Sequence, residues 1–224
     1  MKMNKTVIIG KAKGSMGAHL NKTLKTKTIL PDFDVRDDEM IEMFFESNQN
    51  EFQNLIYTAG IYEYSKIVDA DDRDWMNQID VNLVGAMRCI KHFARTQKGG
   101  TIILIGSNAS KVPSAGSSAY CVSKAGMKML TKVAGQELAP DFHIIQLDLG
   151  IVEDTNMYHN TYKNMGVSEE EMLDVRLKAV PMNRCMSKDE LADWIEFLIT
   201  RGYYANGVSL EIDGGKIKSS GKDD

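Results

Sequence analysis

Short apolar runs and amphipathic segments alternate along most of this 224-residue chain. The runs carry no charge, a pattern typical of strands that are buried on both faces. These runs are residues 6–9, 28–30, 55–60, 101–105 and 143–147. Between them, apolar residues recur at helical spacing. Strands that alternate with helices predict an α/β protein with a parallel, doubly wound sheet and helices on both of its faces.

The helices are predicted from the same spacing and from capping residues. They cover residues up to about 24, 38–47, 71–96, a segment that begins near 118, and 191–199. The last of these opens at a capping box formed by Ser187 and Glu190. A second box, Ser168 and Glu171, predicts a short helix in a polar, methionine-rich stretch. The polar tail, residues 216–224, is expected to be mobile or lightly docked.

Composition restricts the possible classes of function. The formal charge of −4 gives no basic surface for nucleic acid. No apolar run approaches the roughly 20 residues of a membrane span. The cysteines (Cys89, Cys121 and Cys185) lack metal-ligand spacing, and their odd number favours a reduced, cytoplasmic location. With no repeat and no linker, we expect a single domain, 1–224, with no metal, nucleic-acid or membrane partner.

The segment that begins near 118 carries the most informative pair of side chains. Tyr120 and Lys124 are four residues apart, so on a helix they share one face. A tyrosine ordinarily titrates near pH 10, and a cation within a few ångströms favours its phenolate form. The pair is therefore a candidate general acid and base for a carbonyl–alcohol couple. Taken alone, this spacing also fits a surface tyrosine that packs on a lysine side chain.

Two further residues make the pair specific. Ser107 ends an apolar run thirteen positions before Tyr120, and Asn82 lies earlier in the long helix 71–96. An Asn, Ser, Tyr, Lys set in this order resembles the active site of the short-chain dehydrogenase/reductase family. The resemblance extends from Val7 to the Asp-Gly-Gly ending at Gly215, and it is closest to the ordinary short branch that includes 3-oxoacyl-carrier-protein reductases.

The resemblance implies a Rossmann-type sheet of six or seven strands and an NAD(P)-dependent oxidoreductase. Hydride would pass between a nicotinamide cofactor and a small-molecule carbonyl or alcohol. Ser107 would donate a hydrogen bond to the carbonyl oxygen, and Tyr120 would protonate it. Lys124 would support Tyr120 and bind the nicotinamide ribose, while Asn82 would anchor a water molecule. Family members form homodimers or homotetramers through long helices and the final strand.

A glycine loop follows the first apolar run and precedes a helix, which together make a site for a pyrophosphate. The loop departs from the family pattern, because its third glycine falls one place late. The resemblance assigns cofactor contacts to Gly10, Lys13, Gly14, Ser15, Met16 and Gly17, to Asp34 and Val35 at the adenine, to Ala59 and Gly60, to Tyr120 and Lys124, and to Gly150, Val152 and Thr155 at the nicotinamide.

The second βα unit is predicted to be shortened, because residues 28–30 lead almost directly into Asp34. The identity of the cofactor is left open by this region. Lys11 and Lys13 suit a 2′-phosphate and favour NADP, whereas Asp32 has the place of an acid that binds the ribose of NAD. We favour NADP.

The substrate and one alternative function are also left open. Residues 155–186 are predicted to form a substrate lid, and its methionines and tyrosines suggest an apolar pocket. Asp148, Glu153 and Asp154 are expected near the mouth of the site, where they would either disfavour anionic substrates or form a solvated loop. The irregular glycine loop keeps open a non-catalytic dinucleotide sensor on the same fold. A nucleotide-sugar epimerase would require a larger substrate domain.

Overall fold

Six parallel strands form one sheet in the order β2-β1-β3-β4-β5-β6. The structure of the protein is a computed structural model, which describes residues 5–157, 159, 168, 173 and 177–216. The strands are β1 (Lys5–Ile9), β2 (Lys27–Ile29), β3 (Asn54–Tyr57), β4 (Gly100–Ile105), β5 (Phe142–Leu149) and β6 (Val208–Ile212). Each of the five predicted apolar runs contributes a strand. The sixth strand, β6, precedes the Asp-Gly-Gly sequence that ends at Gly215 and that resembles the end of the family's final strand.

Helices cover both faces of this sheet. They are α1 (Met16–Thr23), α2 (Asp38–Glu46), α3 (Asp72–Ile79), α4 (Gly85–Thr96), α5 (Ser118–Glu137) and α6 (Lys188–Thr200). The predicted capping box at the start of α6 is present, because Ser187 and Glu190 bond reciprocally to each other's backbone. No helix among the described residues is long and apolar enough to cross a membrane.

The core consists of two apolar layers, one on each face of the sheet. Val7 and Ile9 of β1 point into the layer under α2, α4 and α5, whereas Ile8 points into the layer under α1 and α6. This alternation is what the two-residue period of a strand imposes when both faces are covered. The doubly wound parallel sheet predicted from the alternating pattern is confirmed, as is the Rossmann-type fold that the resemblance implies.

The second βα unit is shortened, as predicted. β2 has three residues and lies at the edge of the described sheet. Residues 30–37 then lead from β2 directly to α2, with no helix and no further strand among them. The order of strands reverses between β1 and β3, so the crevice at which such sheets bind ligands is preserved.

The predicted long helix 71–96 is interrupted at Asn82. Residues Asp80–Val84 form one π-helical turn between α3 and α4. Such a turn displaces carbonyl groups from the α-helical ladder. The hydroxyl of buried Tyr57 donates a 2.5 Å hydrogen bond to the Val81 carbonyl within this turn. The end of β3 therefore braces the segment that carries Asn82.

Some predictions fall on residues that the structure does not describe. The short helix at Ser168 and Glu171 lies outside the described residues, as do most of the lid 155–186 and residues 217–224. The single-domain organisation over 1–224 stays a prediction.

Candidate active site

A cavity of about 350 Å³ opens at the carboxyl ends of β4 and β5. Ser107 and Tyr120 line it from opposite elements, the turn after β4 and the first turn of α5. Met16, Gly150, Val152 and Thr155 of the predicted cofactor set also line it. The structure thus brings these residues to one side of the sheet, where parallel α/β proteins bind ligands.

Lys124 lies beneath this cavity, and its side chain is almost completely buried. Its Nζ donates a 2.8 Å hydrogen bond to the Ile105 carbonyl and lies 5.6 Å from the centroid of the Tyr120 ring. Burial lowers the pKa of Lys124 to about 8, and the negative charge of Asp148 partly opposes that shift. The cation is therefore held near the tyrosine at a cost in desolvation.

Tyr120 is oriented by a second tyrosine that the sequence did not indicate. The Tyr62 ring meets the Tyr120 ring edge to face, with centroids 5.3 Å apart. The Tyr62 hydroxyl lies 3.0 Å from Ser117 Oγ, just before α5 begins. Tyr120 Oη also lies 3.8 Å from Met157 Sδ, on the segment after β5. The phenol is therefore packed from two sides at the cavity wall.

Asn82 connects the π turn to both neighbouring elements. Its Nδ2 donates to the Ile61 carbonyl at 2.9 Å and to Ser123 Oγ at 3.1 Å. Its Oδ1 accepts from the Ile61 amide at 2.8 Å. Ser123 Oγ in turn donates to the Tyr120 carbonyl at 2.7 Å. The buried amide therefore links the chain after β3 to the helix that carries Tyr120.

Ser107 caps the short turn Asn108–Ser110, because its Oγ accepts a hydrogen bond from the Ala109 amide at 3.2 Å. That bond leaves the hydroxyl hydrogen available to a ligand in the cavity. Asn108 follows it in the cavity wall, and its buried Nδ2 has no acceptor within the described part of the chain. The sequence did not indicate Asn108, since an asparagine after the serine is a common turn residue.

The glycine loop forms a regular helix entrance despite its altered spacing. Ser15 is the N-cap of α1: its Oγ accepts from the Ala18 amide and donates to the Gly10 carbonyl, both at 3.2 Å. Gly17 lies so close to the Gly10 carbonyl oxygen that a Cβ would overlap it. The late third glycine is therefore a close contact within the first turn of α1, and Ser15 supplies the cap.

The remaining predicted cofactor residues lie along the same edge. Val35 is buried against α4, and Asp34 is held by Arg36 in a two-pronged ion pair that lowers the pKa of the Asp34 carboxyl. Gly60 follows Ala59 after β3 and faces Asn82 and Lys124. Lys13 is exposed on the glycine loop.

Asn156 is a further residue that the sequence did not indicate. Its Nδ2 donates to the Lys13 carbonyl at 2.7 Å, and its Oδ1 would overlap a Cβ at Gly14. The segment after β5 therefore touches the glycine loop. Lys216 also lines the cavity, although it was assigned to the polar tail.

Of the three acids expected near the mouth of the site, Glu153 and Asp154 are exposed, as the solvated-loop alternative predicts, whereas Asp148 lies elsewhere. Asp148 is completely buried and paired with Lys128, and Asp154 pairs with Lys188 at 2.7 Å. Neither aspartate lines the cavity. The reason is that β5 continues through Leu149, which places Asp148 inside the sheet rather than in the following loop.

Comparisons with known proteins identify the family of this chain. The family model for short chain dehydrogenases matches residues 1–166. The 2,3-dihydro-2,3-dihydroxybenzoate dehydrogenase of Bacillus subtilis is 27% identical, over 81% of this chain and 74% of that protein. The 3-oxoacyl-(acyl-carrier-protein) reductase FabG of Staphylococcus epidermidis is 26% identical, over 80% and 73%.

Solved structures show the same fold. A small-chain dehydrogenase in complex with NADPH has a TM-score of 0.85 at 25% identity, covering 97% of this chain and 100% of that one. A gluconate 5-dehydrogenase from Burkholderia cenocepacia, in complex with NADP and tartrate, has a TM-score of 0.85 at 22% identity, covering 97% and 96%. The chain belongs to the short-chain dehydrogenase/reductase family of nicotinamide-dependent oxidoreductases.

Proposed function

We propose that this protein transfers hydride reversibly between NADP and the carbonyl carbon of a small molecule, with Tyr120 as the general acid and base. One observation carries the proposal: Ser107 and Tyr120 line the same cavity, and the buried ammonium of Lys124 lies beside the tyrosine ring. A hydroxyl donor, an acid and a cation are the groups that carbonyl reduction requires.

In the reducing direction a bound reduced nicotinamide would supply the hydride that the carbonyl carbon accepts. Ser107 donates a hydrogen bond to the carbonyl oxygen and so stabilises the negative charge that develops there. Tyr120 transfers its hydroxyl proton to that oxygen, which completes the alcohol and leaves a phenolate. The Lys124 ammonium stabilises this phenolate and is also proposed to bind the nicotinamide ribose.

Asn82 acts in this proposal through the elements that it joins. Its amide fixes the chain at Ile61 and, through Ser123, the first turn of α5. The water-anchoring role that the family resemblance implies for Asn82 stays a prediction.

The alternative, a non-catalytic dinucleotide sensor, was favoured by the irregular glycine loop. Ser15 and Gly17 give that loop a regular helix entrance, so its irregularity no longer favours the sensor. A sensor would bind the cofactor without turnover, which separates the two functions in an activity assay.

Replacing Tyr120 with Phe is expected to lower turnover by roughly 10²-fold or more, because the variant keeps the ring but lacks the proton. Reduction of a panel of small carbonyl compounds would be followed through NADPH absorbance. Tyr204→Phe is the matched control, since Tyr204 is fully exposed outside the site. Wild-type turnover in Tyr120→Phe would contradict the role assigned to Tyr120.

The preference for NADP is proposed to depend on an ion pair between Lys11 and Asp32. Their side chains form a salt bridge beside the glycine loop, so the acid that would repel a 2′-phosphate is compensated by a cation. The NADPH-bound structural neighbour supports the same preference. Lys13, exposed on the same loop, is the second cation proposed to face the 2′-phosphate.

Lys11→Met is expected to weaken NADPH binding about tenfold and to leave NADH binding nearly unchanged, because a charged hydrogen bond contributes about 1.5 kcal/mol. Asp32→Asn is expected to weaken NADH binding instead. Nicotinamide fluorescence titrations measure both, with exposed Lys22→Met as the control. Equal losses for the two cofactors in Lys11→Met would exclude a specific phosphate contact.

We also propose that the chain assembles into a homodimer or homotetramer. Val122, Met129 and Val133 are 50%, 58% and 42% exposed and lie on one face of α5. Trp194 and Phe197 of α6 line a separate open groove beside the end of β6. Exposed apolar surfaces of this kind are common at protein interfaces.

Sedimentation is expected to give a mass of two or four chains for the wild type and a smaller mass for Met129→Glu, since a charge on that face opposes burial. Lys22→Glu, at an exposed position of α1, is the control. A wild-type mass of one chain would contradict the assembly.

A further inference from the structure

A buried ion pair lies one helical turn beyond Lys124. Lys128 Nζ of α5 is 2.9 Å from Asp148 Oδ2 of β5. The Asp148 side chain is completely buried, and the Lys128 side chain is 17% exposed. A buried carboxylate is tolerated only when it is both paired and hydrogen-bonded. The cavity does not contain Asp148, so the carboxylate has no direct place in the chemistry proposed above.

The other bonds of Asp148 lead towards Ser107. Ser110, at the end of the turn that Ser107 caps, donates from its Oγ to Asp148 Oδ2 at 3.1 Å. Gln146 Nε2 donates to Asp148 Oδ1 at 2.5 Å. Thr131 of α5 in turn donates to Gln146 Oε1 at 3.2 Å. Both oxygens of the carboxylate are therefore bonded, one of them to the Ser107 turn and to α5 at once.

The backbone before Ser107 also rests on this carboxylate. A Cβ at Gly106 would overlap Asp148 Oδ1 and the Gln146 amide nitrogen. Only glycine permits so close an approach. Asp148 therefore contacts the Ser107 turn on both sides of the serine, through Gly106 before it and Ser110 after it.

Several charges surround the pair. They are Lys124 of α5, Lys111 after the turn, Glu211 of β6, which pairs with Lys111 and lies 3.9 Å from Lys128, and Asp213, which interacts electrostatically with Lys111. Lys124 donates to the Ile105 carbonyl, and the next residue, Gly106, touches Asp148, so this carboxylate lies near the lysine and its negative charge raises the Lys124 pKa against the effect of burial. Its charge thus opposes the desolvation of the catalytic-site lysine.

We propose that Asp148 is a positioning residue: it ties the turn that carries Ser107 to the helix that carries Tyr120 and Lys124, and its charge balances the two lysines of that helix. The inference rests on the function proposed above for Ser107 and Tyr120. The distance between Ser107 and Tyr120 is then maintained because the buried Asp148 carboxylate binds both the Ser107 turn and α5.

The proposed link between the Ser107 turn and α5 is tested by Ser110→Ala. This variant removes the hydrogen bond from the turn to Asp148 and leaves the Lys128–Asp148 ion pair intact. The expected kcat is about tenfold lower, since small displacements of a catalytic group are costly, with NADPH affinity unchanged. Ser110→Thr, which keeps the hydroxyl, is expected to retain most of the activity. Glu137→Gln, exposed at the far end of α5, is the control. Wild-type kcat in Ser110→Ala overturns this link.

The proposed effect of the Asp148 charge on Lys124 is tested without any substrate. Lysines labelled with ¹³C at Cε are titrated by NMR, and the Lys124 signal is identified by its absence in Lys124→Met. Asp148→Asn is expected to move the Lys124 midpoint to lower pH, and Lys128→Met to higher pH. A purely structural role gives no such opposite pair of shifts.

Midpoints that move in the same direction, or not at all, overturn the proposal. If wild-type protein reduces no carbonyl compound, the proposed function fails, whereas the NMR titration still decides whether Asp148 acts on Lys124. In an active enzyme, the kcat ratio between Ser110→Ala and Ser110→Thr tests the positioning role of Asp148 separately from its effect on the charge of Lys124.

Discussion

The structure around the site depends on one constraint, the burial of the Lys124 ammonium. A charged amine beneath a cavity needs an acceptor and nearby negative charge, because the apolar interior disfavours its charged form. The Ile105 carbonyl is the acceptor, and Asp148 supplies the nearby charge. Gly60 leaves room for the ammonium beside Asn82. Asp148 also accepts a hydrogen bond from Ser110, in the turn that Ser107 caps.

The loss of part of the second βα unit affects a different region. β2 is the edge strand, and the crevice between β1 and β3 does not depend on any strand beyond it. The glycine loop and the Lys11–Asp32 pair lie at that crevice, whereas the cavity with Ser107 and Tyr120 lies at β4 and β5. The second βα unit, on the side proposed to bind adenine, can therefore be shortened without any change to the residues of the proposed chemistry.

The elements of the fold were predictable because they follow from local patterns. Continuous apolar runs, helical spacing and the Ser187–Glu190 capping box each specify a structure within a few residues. The four active-site candidates were proposed from their order and spacing together with the family resemblance, and their catalytic roles stay predictions. Their convergence on one side of the sheet follows from the rule that parallel strands share a carboxyl edge.

What the sequence could not indicate depends on contacts between distant segments. The π turn at Asn82 is braced by the hydroxyl of Tyr57, 24 residues earlier than its acceptor, Val81. Asp148 was expected in a loop, but it lies within β5 and pairs with Lys128 on another element. Asn156 contacts the glycine loop 143 residues away from it in the chain. No local pattern carries these pairings.

The burial of the Lys124 ammonium is tested most directly by the unfolding free energies of wild type and Lys124→Met, measured without cofactor as a function of pH. The drop in the Lys124 pKa from 10.5 to about 8 corresponds to about 3 kcal/mol. Between these pH values the unfolded chain holds a proton that the folded protein has lost, so wild-type stability rises with pH.

The stability advantage of Lys124→Met is expected to shrink by roughly that amount, about 3 kcal/mol, as the pH is raised through this interval. If the difference in unfolding free energy between the two proteins does not change with pH, the ammonium is solvated and the constraint described above does not exist.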